Sequence, residues 1–326
     1  MPSSPENIPK ANHSDVPVID SYCVLFHNGC HVSSQLPEGV SATVSGDGFF
    51  LFVPAHAKIS KPIQINNLFD GSGEAPIQSR YIVMMEAGSS ADLLIVDHTL
   101  SSEPCTYGSV TEIALGDAAN LEVVRLQKSN SDTRMKTDTI VRQAAASRMK
   151  THYVALGGGF IHNSLKVKLE GRNAEHTAAG LSLTKQTERV DNDIVMVHAS
   201  PDCHSNQLFK NILSDTSACT FTGRIVVEKD AQKTTAYQRN SNILLNPKAK
   251  VNTRPQLEIY ADDVKCSHGA TVGQLSAEAL FYLYSRGIGE NEAKKLLLRA
   301  FALEALDGIS SAPFKESVMQ LIEQKL

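Results

Sequence analysis

Two residues two positions apart, Cys266 and His268 in the stretch VKCSHGATVG, carry a thiol and an imidazole that suit iron, zinc or copper. Side chains on a strand alternate between its faces, so on a strand both would leave the same face. Two donors cannot close a metal's coordination sphere, and a second surface is expected to complete whatever the pair binds. The other five cysteines, at 23, 30, 105, 203 and 219, show no CxxC spacing. That argues against a zinc finger or disulfide framework and for a reducing compartment. Cys23, Cys30, Cys105 and Cys219 read as small core residues. Cys203 lies next to His204, and adjacent strand residues face opposite ways, so those two would not hold one ion together.

The elements that must position the pair follow from recurrence along the chain. Val18 to His27 reads as a first strand, with a turn at Asn28-Gly29 and another short strand after it. From residue 87 a phrase repeats: a turn with Gly or Asp, small residues, then an apolar strand, as in AGSSADLLIVDH (87–98), LGDAANLEVVRLQ (115–127) and EGRNAEHTAAGLSL (170–183). Between Ser214 and Asp262 such phrases return roughly every 15 to 18 residues, which suits successive coils of a solenoid of stacked parallel strands. An immunoglobulin-like sandwich would show more hairpin turns and no head-to-tail recurrence. After Ser276, a plausible N-cap, the period becomes helical, with Ala279, Leu280, Leu283 and Tyr284 on one face and Gly287 as a stop. A second helix is expected from about Glu290 to Leu306, with Ala293, Leu297, Ala300, Phe301 and 303–306 on its apolar side, and a third after Pro313. Such helices need the solenoid or another protein to pack on. The organisation read from the chain is an unstructured 1–17, a β-solenoid over 18–275 and a small helical domain over 276–326.

Composition excludes several functions. Net charge is -4 and no basic block stands out, which argues against nucleic-acid binding. Aromatics are 6% and tryptophan is absent, so a stacking platform for sugars is poorly supplied. Met1 to Pro17 is polar, with Glu6 and Asp15 and no apolar signal core, and no stretch has the apolar length of a membrane span. A cytoplasmic protein is expected. The GGG at 157–159 lacks a following GK[ST], and no GxSxG or HExxH occurs, so ATP binding and these hydrolytic chemistries are not expected of this chain. The alternative from another class is a β-helix polysaccharide lyase or hydrolase. It would need paired carboxylates or bases in a groove, whereas these strands carry more Thr, Lys and Asn.

Long ordered segments resemble the SufB/SufD family: ASPDCHSNQLFKNIL (199–213), RIVVEKDAQKTTAYQRNSNILL (224–245), RPQLEIYADDVKCSHGATVGQL (254–275) and FYLYSRGI (281–288), with a weaker likeness at FHNGCHVSSQLPEGV (26–40). The resemblance implies a right-handed parallel β-helix with a C-terminal helical domain, acting as a non-catalytic scaffold in iron-sulfur cluster assembly. Asn240 stands where SufB carries a cysteine, and Gly269 where SufB is acidic, which places the chain nearer the SufD branch. That branch implies pairing with SufB and docking of the SufC ATPase on the helical tail, with a self-paired homodimer as the alternative assembly. No tightly bound cofactor is implied, only transient iron or a nascent cluster, with His268 at the interface and Cys266 beside it. Family members usually begin with a substantial helical region, of which this chain shows none; a trimmed chain or a short variant is expected.

Overall fold

The computed structural model describes residues 16–73 and 75–326. Most of the segment read as unstructured, residues 1–15, lies outside the described residues. Pro17 is buried, and its carbonyl accepts a hydrogen bond from Gln64 Nε2 at 2.9 Å.

The strands in chain order are β1 (Tyr22–His27), β2 (Cys30–Ser34), β3 (Ser41–Ser45), β4 (Gly48–Val53), β5 (Ile63–Phe69), β6 (Ile77–Met85), β7 (Ser90–Thr99), β8 (Thr106–Leu115), β9 (Asn120–Lys128) and β10 (Arg134–Gln143). They continue as β11 (Arg148–Gly157), β12 (Phe160–Leu169), β13 (Glu175–Thr184), β14 (Arg189–His198), β15 (His204–Leu213), β16 (Ala218–Val227), β17 (Thr235–Leu244), β18 (Lys250–Ile259) and β19 (Lys265–Gly273). Odd-numbered strands, except β3, join β2 in a ten-stranded sheet ordered 19-17-15-13-11-9-7-5-1-2. The remaining strands form a nine-stranded sheet ordered 18-16-14-12-10-8-6-4-3. Neighbours run parallel, apart from the β1–β2 and β3–β4 hairpins at the N-terminal end. The fold is the expected β-solenoid, but its repeat is longer than the sequence phrases suggest. Register sets Thr235 beside both His204 and Lys265, so one coil takes about thirty residues and each phrase is half a coil.

One corner of the coil repeats the same backbone device. His56, Gly88, Ala118, Ala146, Asn173, Asp202 and Lys233 all have positive φ. Each but the last donates its N–H to the carbonyl of the residue just before the next left-handed residue, as from Ala118 to Ala145 at 2.8 Å; Lys233 donates to Asp263 at 2.6 Å. The column satisfies turn N–H groups that would otherwise lie unpaired between coils.

The two sheets face each other across an apolar bore that includes Ile65, Leu93, Leu121, Phe209, Leu51, Val83, Leu165 and Phe221. Their outer faces differ. Strands of the nine-stranded sheet alternate buried and exposed, as β10 does, because that outer face meets water. Strands β7, β9, β11 and β13 become continuously buried along their second halves, since Leu94, Val96, Val124, Val154 and Leu181 also need cover.

The tail supplies that cover. Helix α1 (Ala277–Ser285) starts at Ser276, whose side chain accepts from Ala279 N, and buries none of its residues. Helices α2 (Glu290–Leu306) and α3 (Ala312–Lys325) fold back along the ten-stranded sheet, α2 over β13 and β15 and α3 over β11. The side of α2 that is buried is Ala293, Leu298, Ala302, Ala305 and Leu306. It is turned from the expected face: Leu297 is half-buried and Ala300 exposed, because the sheet beneath, not the helix's own pattern, decides which stripe is covered.

Two measurements follow from this packing. Phe314 of α3, fully buried among the apolar side chains between tail and sheet, is expected to cost about 3–5 kcal/mol on change to Ala in urea unfolding, whereas Phe281→Ala, on exposed α1, stays within about 0.5 kcal/mol. Burial also holds three histidines below their ordinary value of 6.5: His152 and His198 to about 4, His176 to about 3. Nearby positive or ionisable partners, Lys150, His204 and His152 respectively, add to the effect. The unfolded chain takes up these protons at higher pH than the folded one, so stability falls as pH drops from about 6.5 to 4. Urea titrations across that window should show an uptake on unfolding that includes about three histidine protons, reduced by about one in His176→Gln.

Candidate functional site

The site lies where the solenoid stops. β19 ends the ten-stranded sheet and pairs with β17 in unbroken register from Thr235–Lys265 to Ile243–Gly273. Because no bulge interrupts it, Cys266 and His268 do share a face. Cys266 is half-buried against the bore and His268 is exposed. Ala236, Gln238 and Asn240 of β17 lie beside Cys266, His268 and Ala270 in turn. Burial pushes the Cys266 thiol up from its ordinary value, and a backbone hydrogen bond at Ala236 offsets part of this. The thiol is therefore protonated at neutral pH, and metal ligation there must release its proton. Among the described residues no group of three or more His, Cys, Asp and Glu could hold a metal ion. Thiol and imidazole fit iron as donors, and among the described residues no third such donor stands with them.

β18 ends the other sheet at the same end of the body, and it is exposed or half-exposed along its whole length. Pro255 sits within it, a residue that sheets admit on edge strands. Apolar side chains stand open around both edges: Ile259 at 40%, Tyr260 at 64% and Val272 at 51% exposure.

Behind the pair, an amide cluster fixes β19 to the body. Asn211 Nδ2 donates to Asn242 Oδ1 at 2.7 Å, and Asn242 Nδ2 donates to Asn240 Oδ1 at 2.7 Å and to the Thr271 carbonyl of β19 at 2.9 Å. Asn240 in turn donates to the Phe209 carbonyl at 3.1 Å. Asn240 is thus a fully buried structural amide.

Polar contacts clamp the tail to the sheet. Lys210, almost wholly buried, and Arg239 both pair with Glu304 of α2, and the Lys210 ammonium lies 4.1 Å from the Phe301 ring centroid. Hydrogen bonding from Lys210 is the main cause that holds the Glu304 carboxyl below its ordinary value. Glu122, whose carboxyl burial pushes up, accepts from Ser310 N at 3.0 and 3.1 Å, while Lys150 Nζ donates to the Gly308 carbonyl at 3.0 Å. Gly308 lies so close to His152 that a Cβ there would come within 2.8 Å of the ring. Lys325 pairs with Glu188 at 2.7 Å. Sequence reasoning missed these links. Its one local sign was Lys210, a charge among the otherwise uncharged residues of QLFKNIL.

The cysteines divide further. All six are free thiols; Cys105, Cys203 and Cys219 are buried, with Cys203 Sγ donating to the Gly171 carbonyl at 3.2 Å. Cys23 is half-buried, but Cys30 is exposed, against the expectation of a core residue, because β2 is the outermost strand of its sheet. On α1, Phe281 is 73% and Tyr282 58% exposed. A groove of about 770 Å³ between α1 and α2 is lined by Leu245, Leu275, Leu280, Lys294 and Lys295, among others. No described helix is long and apolar enough to cross a membrane.

Fold and site define a class: a parallel β-solenoid with a back-folded helical tail and a thiol–imidazole pair on an uncovered terminal strand. Residues 68–301 match the family described as SUF system FeS cluster assembly, SufBD core domain. The chain is 32% identical over 270 residues to the iron-sulfur cluster assembly protein SufD of Escherichia coli, covering 82% of this chain and 64% of that one. It is 31% identical over 287 residues to an iron-sulfur cluster assembly SufBD family protein of Synechocystis, covering 85% and 63%, and 30% identical over 287 residues to protein ABCI7, chloroplastic, of Arabidopsis thaliana, covering 84% and 60%. The chain belongs to the SufBD family of the SUF iron-sulfur cluster assembly system and is of the SufD type. It spans a little under two thirds of the length of these relatives.

Cobalt(II) tests the pair directly. Its addition to the chain should give a near-ultraviolet sulfur-to-metal band that strengthens as pH rises from 6 to 8, because ligation displaces the Cys266 proton, and that is lost in Cys266→Ser.

Proposed function

We propose that this chain is a non-catalytic scaffold subunit of SUF iron-sulfur cluster assembly that pairs end to end with SufB and carries the SufC ATPase on its tail. The observation that carries this reading is the coincidence at one end of the body of two uncovered strand edges, a rim of apolar side chains and the Cys266–His268 pair. An edge strand offers a row of unpaired N–H and C=O groups that another chain's edge can continue. A partner docked on β18 and β19 would extend both sheets, cover Ile259, Tyr260 and Val272, and bring further ligands to the pair. Iron or a nascent cluster is then cargo, held transiently by Cys266, His268 and the partner, and the complex is cytoplasmic. In isolation the same edges are free to pair two copies of this chain.

The tail divides its work. Helices α2 and α3 are committed to the sheet, so α1, which buries nothing and shows Phe281 and Tyr282 to solvent, is the element available to SufC. ATP hydrolysis belongs to SufC. Movement of the docked SufC subunits would pull on α1, which only residues 274–276 separate from β19, and so reshape the surroundings of His268.

Co-expression with SufB and SufC of the same organism tests the reading. Deleting the tail would uncover the sheet and unfold the body, so surface changes are used. Phe281→Asp with Tyr282→Asp is expected to lower SufC retention at least about tenfold and leave SufB bound. Ile259→Arg with Val272→Arg should do the reverse. His268→Ala should retain both partners yet slow cluster formation about tenfold or more; normal cluster formation in that intact complex would remove His268 from the site.

A further inference from the structure

Gln238 is buried at 2% on the inner face of β17, where register places it beside His268 of the terminal strand. Its Nε2 donates to Gln207 Oε1 at 2.9 Å, whereas its enclosed Oε1 accepts no hydrogen bond. The amide is held in place from the opposite wall. It lies across Gly223 of β16, where a Cβ would come within 2.4 Å of Nε2, and Pro255 of β18 follows Gly223 in register and has no N–H to offer. A buried acceptor left unpaired costs about 1–3 kcal/mol, so a residue that supplies its donor is favoured there. Side chains in register on adjacent parallel strands stand about 4.8 Å apart, within reach of a hydrogen bond between a glutamine and a histidine.

We propose that Gln238 is a positioning residue for His268. The two do not bond in this structure; a turn of the exposed His268 ring would let Oε1 accept the N–H of one ring nitrogen, holding the imidazole in one tautomer and one orientation and leaving the other nitrogen's lone pair for an incoming metal. Ligating histidines commonly donate their second N–H to such an acceptor, and a neutral amide does this without adding charge at the site. Gln207, through its hydrogen bond to Gln238 Nε2, fixes the direction in which Oε1 points. The inference rests on the assignment of His268 as a ligand for iron or a nascent cluster, but it can be read without partners or cargo.

Histidine-selective ¹⁵N labelling of the full chain, with long-range proton–nitrogen spectra recorded at pH 8, tests it. The His268 signals are identified by their loss in His268→Gln. The expected result is one tautomer in at least about fivefold excess, relaxing to the ratio of a free imidazole in Gln238→Met and regained in Gln238→Glu, which keeps an acceptor at that place. Cobalt(II) affinity should fall about tenfold or more in Gln238→Met and less in Gln238→Glu. A tautomer ratio in the unaltered chain already equal to that of free imidazole overturns the proposal whatever the variants do. So does a biased ratio that survives in a folded Gln238→Met chain, which would assign the bias to another acceptor, such as water. Failure to bind SufB or SufC changes neither readout, so the two readings fail separately.

Discussion

A strand inside this solenoid has its backbone groups satisfied by the coil before it and the coil after it, and the strands of the last coil have only one neighbour. Much of the architecture follows from how each end meets that constraint. At the N-terminal end the chain turns back on itself, and the β1–β2 and β3–β4 hairpins end the parallel stacking within the chain's own length. At the other end β18 and β19 receive no such treatment. A thiol and an imidazole on β19 are consequently presented at a surface already short of hydrogen-bond partners and lined with apolar side chains. In the interior of the stack the same two residues would be enclosed by another coil.

The two sheets meet water differently, and the tail follows from the difference. Outer rows such as Leu94, Val124, Val154 and Leu181 form an apolar surface that needs covering, and α2 and α3 lie over it. The Lys210–Glu304 pair beneath them places one buried charge against one exposed partner. Such pairs add little net stability against a well-packed apolar alternative, but separating them is costly, so they set where the helices sit along the sheet more than how strongly they are held. Helix α1 has no such tie to the sheet, and this separates a fixed portion of the tail from one available to a partner.

The parts of this structure that were legible in the sequence are those encoded locally. Alternation put Cys266 and His268 on one face, and an unbroken β19 keeps them there. The turn phrases announced a solenoid, but both corners of the coil use small and left-handed residues, Ala118 at one and Asp215 at the other, so half a coil passed for a whole one. Ser276 and Gly287 marked the limits of α1. The apolar stripe of α2 was misplaced because Leu296, Leu297 and Leu298 are consecutive, and only the sheet beneath selects Leu298. Contacts between distant positions were beyond reach. Lys210 and Glu304 are 94 residues apart, and the alignment of Gln238 with His268 depends on the length of a coil, which no short window contains.

The column of left-handed corner residues has a consequence for how the body can vary in size. Each corner fastens to the next, from Ala118 to Ala145 and from Ala146 to Arg172, while the left-handed residues themselves stand 27 to 32 positions apart, so a coil's residue count can vary but every coil must return to the same corner. Growth or loss is therefore quantised: the axial distance between the hairpin-capped end and the terminal pair can change only in whole steps of about 4.8 Å. A related chain with one coil more or fewer would keep the chemistry of its last strand intact while moving it, like a rung on a ladder of different height, relative to everything anchored at the far end.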